Sequence, residues 1–216
     1  MERRLANLLL VVVYAISFHW VAGCSSDASI TITTTIPNPL IEQVSIDIAV
    51  YYNDEMSQYV HNEDLGSYGN HTIDLRSQMS VFNRIFDAMF TSVTSIESID
   101  SYAGQGADAI LVPSIEKFQF AIPEQTRKDF YEVWIQYRFE LYGTDGSLIH
   151  SWPVTAYGKA NRLNYGGMQN EKSPALREAA QWALRDAAAS ISFSFCLLYT
   201  SDAADERSSV DLGGRR

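Results

Sequence analysis

FYEVWIQYRFELYGTDGSLIHSWPVTAYGK, residues 130–159, is the stretch that decides the fold. Val133, Ile135, Tyr137, Phe139 and Leu141 take every second place, with Glu132, Gln136, Arg138 and Glu140 between them. Alternation at period two marks a strand with one face in a core and the other in water. Thr144, Asp145, Gly146 and Ser147 follow as a hairpin turn, in which glycine supplies the positive φ. The return strand covers residues 148–159, and Pro153 within it predicts a sheet edge or a bulge, because proline has no N–H for the ladder.

Working outward, residues 40–52 alternate in the same way, with Val44, Ile46, Ile48 and Val50 on one side, and predict another strand. Residues 53–71 are polar, carry Gly66 and Gly69, and read as a long loop. Phe82, Ile85, Phe86, Met89, Phe90 and Val93 recur at intervals of three and four, predicting a helix whose start lies between Asp74 and Ser80. A turn at Gly104-Gln105-Gly106 leads into a buried strand over 108–119, centred on Ile110, Leu111 and Val112, and residues 161–170 form a second polar loop. Ser173 and Pro174 open a final helix whose narrow stripe, Leu176, Ala180, Ala183, Leu184, Ala187 and Ile191, can lie close to a sheet. The expected order is β-α-β-β-β-α. It describes one α+β domain over 40–195, with two helices on one face of a mainly antiparallel sheet.

The N-terminus carries a different message. Met-Glu-Arg-Arg precedes a mostly apolar run over 5–21, which ends at Val21-Ala22-Gly23-Cys24. A charged start, an apolar stretch and a small-residue cleavage site make an export signal. The ending resembles the lipobox of signal peptidase II substrates. That resemblance implies removal of residues 1–23, acylation of Cys24 with palmitate or similar chains, and a membrane anchor; a retained membrane span over 5–21 is the competing reading. Ser25 follows the cysteine where an aspartate would imply inner-membrane retention, so the resemblance implies the outer membrane, facing the periplasm. Residues 24–39, rich in Ser and Thr with Pro37 and Pro39, read as a lipidated extended tether.

At the other end CLLYTSDAADERSSVDLGGRR, residues 196–216, breaks with the helical text before it. It resembles the translation of a transposase-end sequencing adapter, which implies an artefact from Cys196 onward and an undetermined native C-terminus.

Between these ends no cysteine remains, so cysteine nucleophiles and zinc knuckles are excluded. A net charge of −10 disfavours nucleic acid as a partner, since binding phosphates requires Lys or Arg to displace counterions. No Gly-x-Ser-x-Gly elbow is present, and Gly104-Gln105-Gly106 precedes a strand instead of opening a helix, so neither a hydrolase elbow nor a dinucleotide fingerprint is present. His61, Glu63, Asp64 and His71 form the one local group that could wrap a cation, without a fixed helical spacing to support it. His150 reads as a surface strand residue. Trp134, Trp152 and Tyr157 could form an exposed aromatic patch on the hairpin, of the kind that marks a protein or glycan contact, or could pack against neighbouring chain.

The lipobox, short Thr/Pro tether and element order together resemble small envelope lipoproteins that serve transport or assembly machines. These include ABC-transport auxiliary lipoproteins, the lipopolysaccharide-assembly lipoprotein of the outer-membrane translocon, and peptidoglycan-synthase activators with a domain like the N-terminal domain of TolB. The resemblance implies an accessory role, and the anchor together with the lack of a catalytic constellation in the sequence points to a non-enzymatic protein with no catalytic residue, metal or cofactor. Its partners would be the membrane, through Cys24, and an envelope protein bound on sheet edge, hairpin and polar loops. The alternative is a lipid-anchored metal- or ligand-binding protein or hydrolase with its site in 53–71.

Overall fold

The computed structural model describes residues 27–34, 36–37, 39, 41, 43–99, 106–166 and 172–211, with only the backbone from 196 onward. The export signal, Cys24, Gly104, Gln105 and residues 167–170 lie outside the described residues.

The chain is α+β, built on two mixed sheets. Its elements in order are β1 (Ala28–Thr31), β2 (Val44–Tyr51), α1 (Asp54–Ser57), β3 (Val60–Asp64), β4 (Asn70–Asp74), α2 (Gln78–Met89), β5 (Phe90–Ile96), β6 (Ala109–Ala121), α3 (Pro123–Thr126), β7 (Phe130–Gly143), β8 (Leu148–Asn161) and α4 (Lys172–Asp211). The larger sheet has the order β5-β2-β6-β7-β8 and the smaller β1-β4-β3. β2 pairs in parallel with both β5 and β6, whereas β6, β7 and β8 form an antiparallel meander.

The quoted hairpin is as its alternation predicts. Tyr131, Val133, Ile135, Tyr137 and Phe139 are fully buried, and Gly146 turns the chain at φ 80°. β8 is an edge strand, in keeping with Pro153. β6 changes phase along its length. Leu111, Pro113 and Ile115 face the core opposite Leu141, Phe139 and Tyr137; then Glu116 bulges out, so that Phe118 and Phe120 face the core opposite Ile135 and Val133. Without that extra residue a period-two strand would turn both phenylalanines to the outer face.

Helices α2 and α4 close the core. Phe82 and Phe86 of α2 meet Tyr137 and Phe139 edge to face, Phe82 at 5.1 Å from the Tyr137 ring. Each such fully buried side chain contributes about 1.5–3 kcal/mol of transfer free energy. Leu176, Ala180, Ala183, Leu184, Ala187 and Ile191 are all buried, so the alanine stripe of α4 lies on the sheet as expected.

Four expectations are corrected. The reading of 24–39 as a tether with little to bury fails from Ala28 onward. β1 pairs with β4, Ala28, Ile30, Ile32 and Ile36 are buried, and the Ser77 hydroxyl donates to the Ile32 carbonyl. The 53–71 loop is instead α1 followed by a β3–β4 hairpin, joined by a 3-10 turn over Gly66–Tyr68. The predicted helix ends at Met89, and Val93 belongs to β5. The mainly antiparallel β-α-β-β-β-α order is therefore replaced by mixed sheets with β1, β3, β4 and β5 added, of which β3 and β4 are short, largely polar strands that satisfy their backbone by pairing. Beyond Phe195 the α4 backbone continues helically to Asp211.

Candidate functional site

The Glu116 bulge also decides what the outer face of the meander displays. It turns Lys117 and Gln119 outward beside Trp134 and Gln136 of β7 and Thr155 of β8, and these five residues line an open depression of about 390 Å³. Glu116 itself accepts from Gln136 Nε2 at 2.7 Å and from Arg138 Nε, tying the bulge to β7.

Trp134 and Tyr157 are cross-strand partners with ring centroids 5.3 Å apart, each about a third exposed. The Tyr157 hydroxyl donates to Glu132 Oε1 at 2.7 Å. Desolvation first, and that carboxylate second, push the phenol up to about 12, so it stays a neutral donor across physiological pH. On the other side of the β8 edge, Trp182 of α4 is 47% exposed, with the Arg185 guanidinium 5.0 Å from its ring centre. Tyr157, Lys159, Trp182, Arg185 and Asp186 border a second depression there, of about 460 Å³.

The edge between them is blunted. Asp186 Oδ2 accepts the outward N–H of Tyr157 at 2.9 Å, and Pro153, on the same backbone phase, has no N–H to offer. Edge strands protected in this way resist strand addition, which leaves recognition to side chains.

The expected aromatic patch is thus divided. Trp134 and Tyr157 lie on the outer face, while Trp152 is buried on the inner one, stacked on Phe139 and edge-on to Phe195. Trp182, Lys117 and Gln119 escape a sequence reading: Trp182 lies outside the alanine stripe, and the bulge that exposes the other two is silent in composition. His150 is exposed, as expected, and stacks on the Trp152 ring at 5.5 Å.

The candidate cation group is only partly assembled. His61 Nε2 lies 3.1 Å from Glu63 Oε2, and His71, opposite Glu63 across the hairpin, is buried with its ring 5.3 Å from Phe120. Asp64 instead accepts the Gly66 N–H at 2.8 Å, closing the turn. Among the described residues no group of three or more His, Cys, Asp or Glu has the geometry to hold a metal ion. His71 Nδ1 faces the Gly69 carbonyl at 3.2 Å, and its Nε2 has no hydrogen-bond partner. Desolvation holds its pKa below the usual histidine value, an effect reinforced by Lys172 and opposed by the Gly69 carbonyl, Glu124 and Glu63.

No helix among the described residues is long and apolar enough to cross a membrane. No family model matches the chain, and no curated protein matches it. Among solved structures it is similar to a Xanthomonas campestris protein of the family DUF330, with a TM-score of 0.51 and 14% identity over 83% of this chain and 99% of that one. A minor lipoprotein from Acinetobacter baumannii follows with a TM-score of 0.41 and 9% identity, covering 70% and 90%. A PelC dodecamer from Paraburkholderia phytofirmans has a TM-score of 0.40 and 16% identity, covering 73% and 93%. At these identities the likeness to the Xanthomonas protein is one of fold.

Proposed function

We propose that this chain is a non-enzymatic bacterial envelope lipoprotein, anchored through acylated Cys24 in the outer membrane and facing the periplasm. Its role is that of an accessory or assembly component, and it binds an envelope protein with the outer face of β7–β8 and the adjoining edge. The observation that carries the binding reading is the row of exposed aromatic rings, Trp134 and Tyr157 on the sheet and Trp182 around the edge. Rigid rings with a polar rim are the side chains that dominate protein–protein binding energy. The anchor reading rests on Val21-Ala22-Gly23-Cys24 behind an apolar run.

A photo-crosslinking residue placed at Thr155, next to the rings on the same face, tests the surface in cells. The proposal expects a discrete adduct with an envelope protein that disappears when Trp134→Ala and Tyr157→Ala are added. An adduct unaffected by those substitutions, or none at all, contradicts it.

A further inference from the structure

The chain becomes part of the fold almost as soon as it leaves the anchor. Ala28 opens β1, and Asp27 Oδ1 already accepts the Asn70 N–H at 2.9 Å. Four residue steps separate Cys24 from Ala28, and a fully extended chain spans at most about 14 Å over them. An acylated Cys24 lies at the boundary of hydrocarbon and headgroups, and the headgroup layer is itself roughly 5–8 Å deep. The end of the domain at which β1 begins is therefore held at the headgroups or within roughly 10 Å of them.

Strand pairing defines that end. Ala28 is opposite His71, and Asp64 is opposite Asn70, so the Gly66–Tyr68 turn lies there. His71 packs on Phe120, near the end of β6, and Lys172 at the start of α4 lies 3.8 Å from Glu124 of α3. Arg162, just beyond β8, donates its backbone N–H to the Asp129 carbonyl, just before β7. The turns following β6 and β8 thus share this pole with the emerging anchor. They present Leu163, 65% exposed, beside the exposed Arg127 and Lys128, and Tyr68 of the β3–β4 turn is 37% exposed.

Charge differs between the two ends. At the anchor pole Arg127, Lys128, Lys159, Arg162 and Lys172 lie among Asp27, Glu63, Asp64, Glu124, Asp129 and Glu132. Arg162 is paired to Asp129 and Lys172 to Glu124, so that the exposed Arg127 and Lys128 are its outward cations. Asp47, Asp108, Glu140 and Asp145 lie at the opposite end of the large sheet, where β6 begins and β7 turns into β8. An anionic headgroup layer meets mixed charge with exposed Arg127 and Lys128 at the anchor pole, and repels the acidic far end.

We propose that this pole, with Tyr68 and Leu163 as its apolar contacts and Arg127 and Lys128 as its cationic ones, rests on the phospholipid headgroups. The domain then stands with its large sheet extending away from the membrane and the β7–β8 hairpin tip outermost. The inference rests on the lipid-anchor reading. Tyrosine and leucine at a turn tip suit the interface, where an apolar body can enter while polar groups stay wet.

Spin labels on the mature lipidated protein test the orientation. Labels are placed singly at Tyr68→Cys, Leu163→Cys and, as an equally apolar site at the far end, Ile149→Cys, with Cys196→Ser removing the remaining thiol. The protein is reconstituted in phosphatidylethanolamine–phosphatidylglycerol vesicles, and each label's collision with oxygen and with a water-soluble nickel chelate is compared. The proposal expects severalfold protection from nickel at 68 and 163 and none at 149. Equal nickel access at all three positions, in protein that sediments with the vesicles, overturns the orientation while leaving the anchor intact. Protein that neither sediments nor carries acyl label removes the anchor, and the proposal with it.

Discussion

Gly158 of β8 lies directly beneath Ala183 of α4, so close that a Cβ on the glycine would overlap the Ala183 nitrogen and the Ala179 carbonyl oxygen. Helix and edge strand are in backbone contact here, which is why the facing stripe of α4 consists of alanines at 179, 180, 183 and 187. Gly158→Ala forces the helix outward and is expected to cost about 2–3 kcal/mol. Urea unfolding measures it, with Thr155→Ala on the outer face as a control expected to stay within about 0.5 kcal/mol. Equal stability of the two variants would mean that α4 does not pack so tightly.

Gln78 is fully buried and joins three elements. Its amide nitrogen donates to the Met56 carbonyl at 3.0 Å, and its oxygen accepts from the Tyr137 hydroxyl at 2.9 Å. Gln78→Leu strands both partners and is expected to destabilise by about 2 kcal/mol. Tyr137→Phe should then cost less in the Gln78→Leu background than in the natural chain, a coupling that a double-mutant cycle reads directly.

His71 gives stability a pH dependence. Its ring is buried and its pKa is lowered from the ordinary 6.5, so the unfolded chain takes up this proton at a higher pH than the folded one does. Protonation therefore favours unfolding. The contribution is complete above the unfolded value of 6.5 and is lost as pH falls toward the folded one. The urea midpoint should decline on acidification from about pH 7.5 to 5, and His71→Phe, which keeps an aromatic ring beside Phe120, should flatten that decline.

A site in the 53–71 segment has a separate signature. Metal analysis of the purified domain is expected to give no stoichiometric metal, with His61→Ala and His71→Ala unchanged from the natural chain. Stoichiometric metal lost in those variants would favour the metal-binding alternative.

What could be read from the sequence depended on how each strand meets the core. β7 declares itself because its five buried side chains alternate with polar ones, and α4 because its alanines keep helical spacing. β3, Val-His-Asn-Glu-Asp, has no apolar alternation, since its inward places are filled by His61 and Glu63. β5 is hidden behind the preceding helix because Phe86, Phe90 and Val93 keep intervals of four and three even though the chain has become extended. β1 is legible in its alternation, with Ala28, Ile30 and Ile32 buried between Ser29 and Thr31, but it lies within a Ser/Thr-rich segment whose composition is that of a tether. On the candidate surface Trp134 and Tyr157 were visible as aromatics on a hairpin, whereas their separation from Trp152 follows from strand phase and their neighbours Lys117 and Gln119 from a bulge.

The anchor is the claim on which localisation, orientation and partner reading all depend. Cells expressing the natural precursor and Cys24→Ala, labelled with palmitate and fractionated, test it most directly. The account predicts label and membrane retention in the natural protein and loss of both in the variant. Unchanged label, or unchanged retention in the membrane, would contradict it and return residues 5–21 to the competing reading of a membrane span.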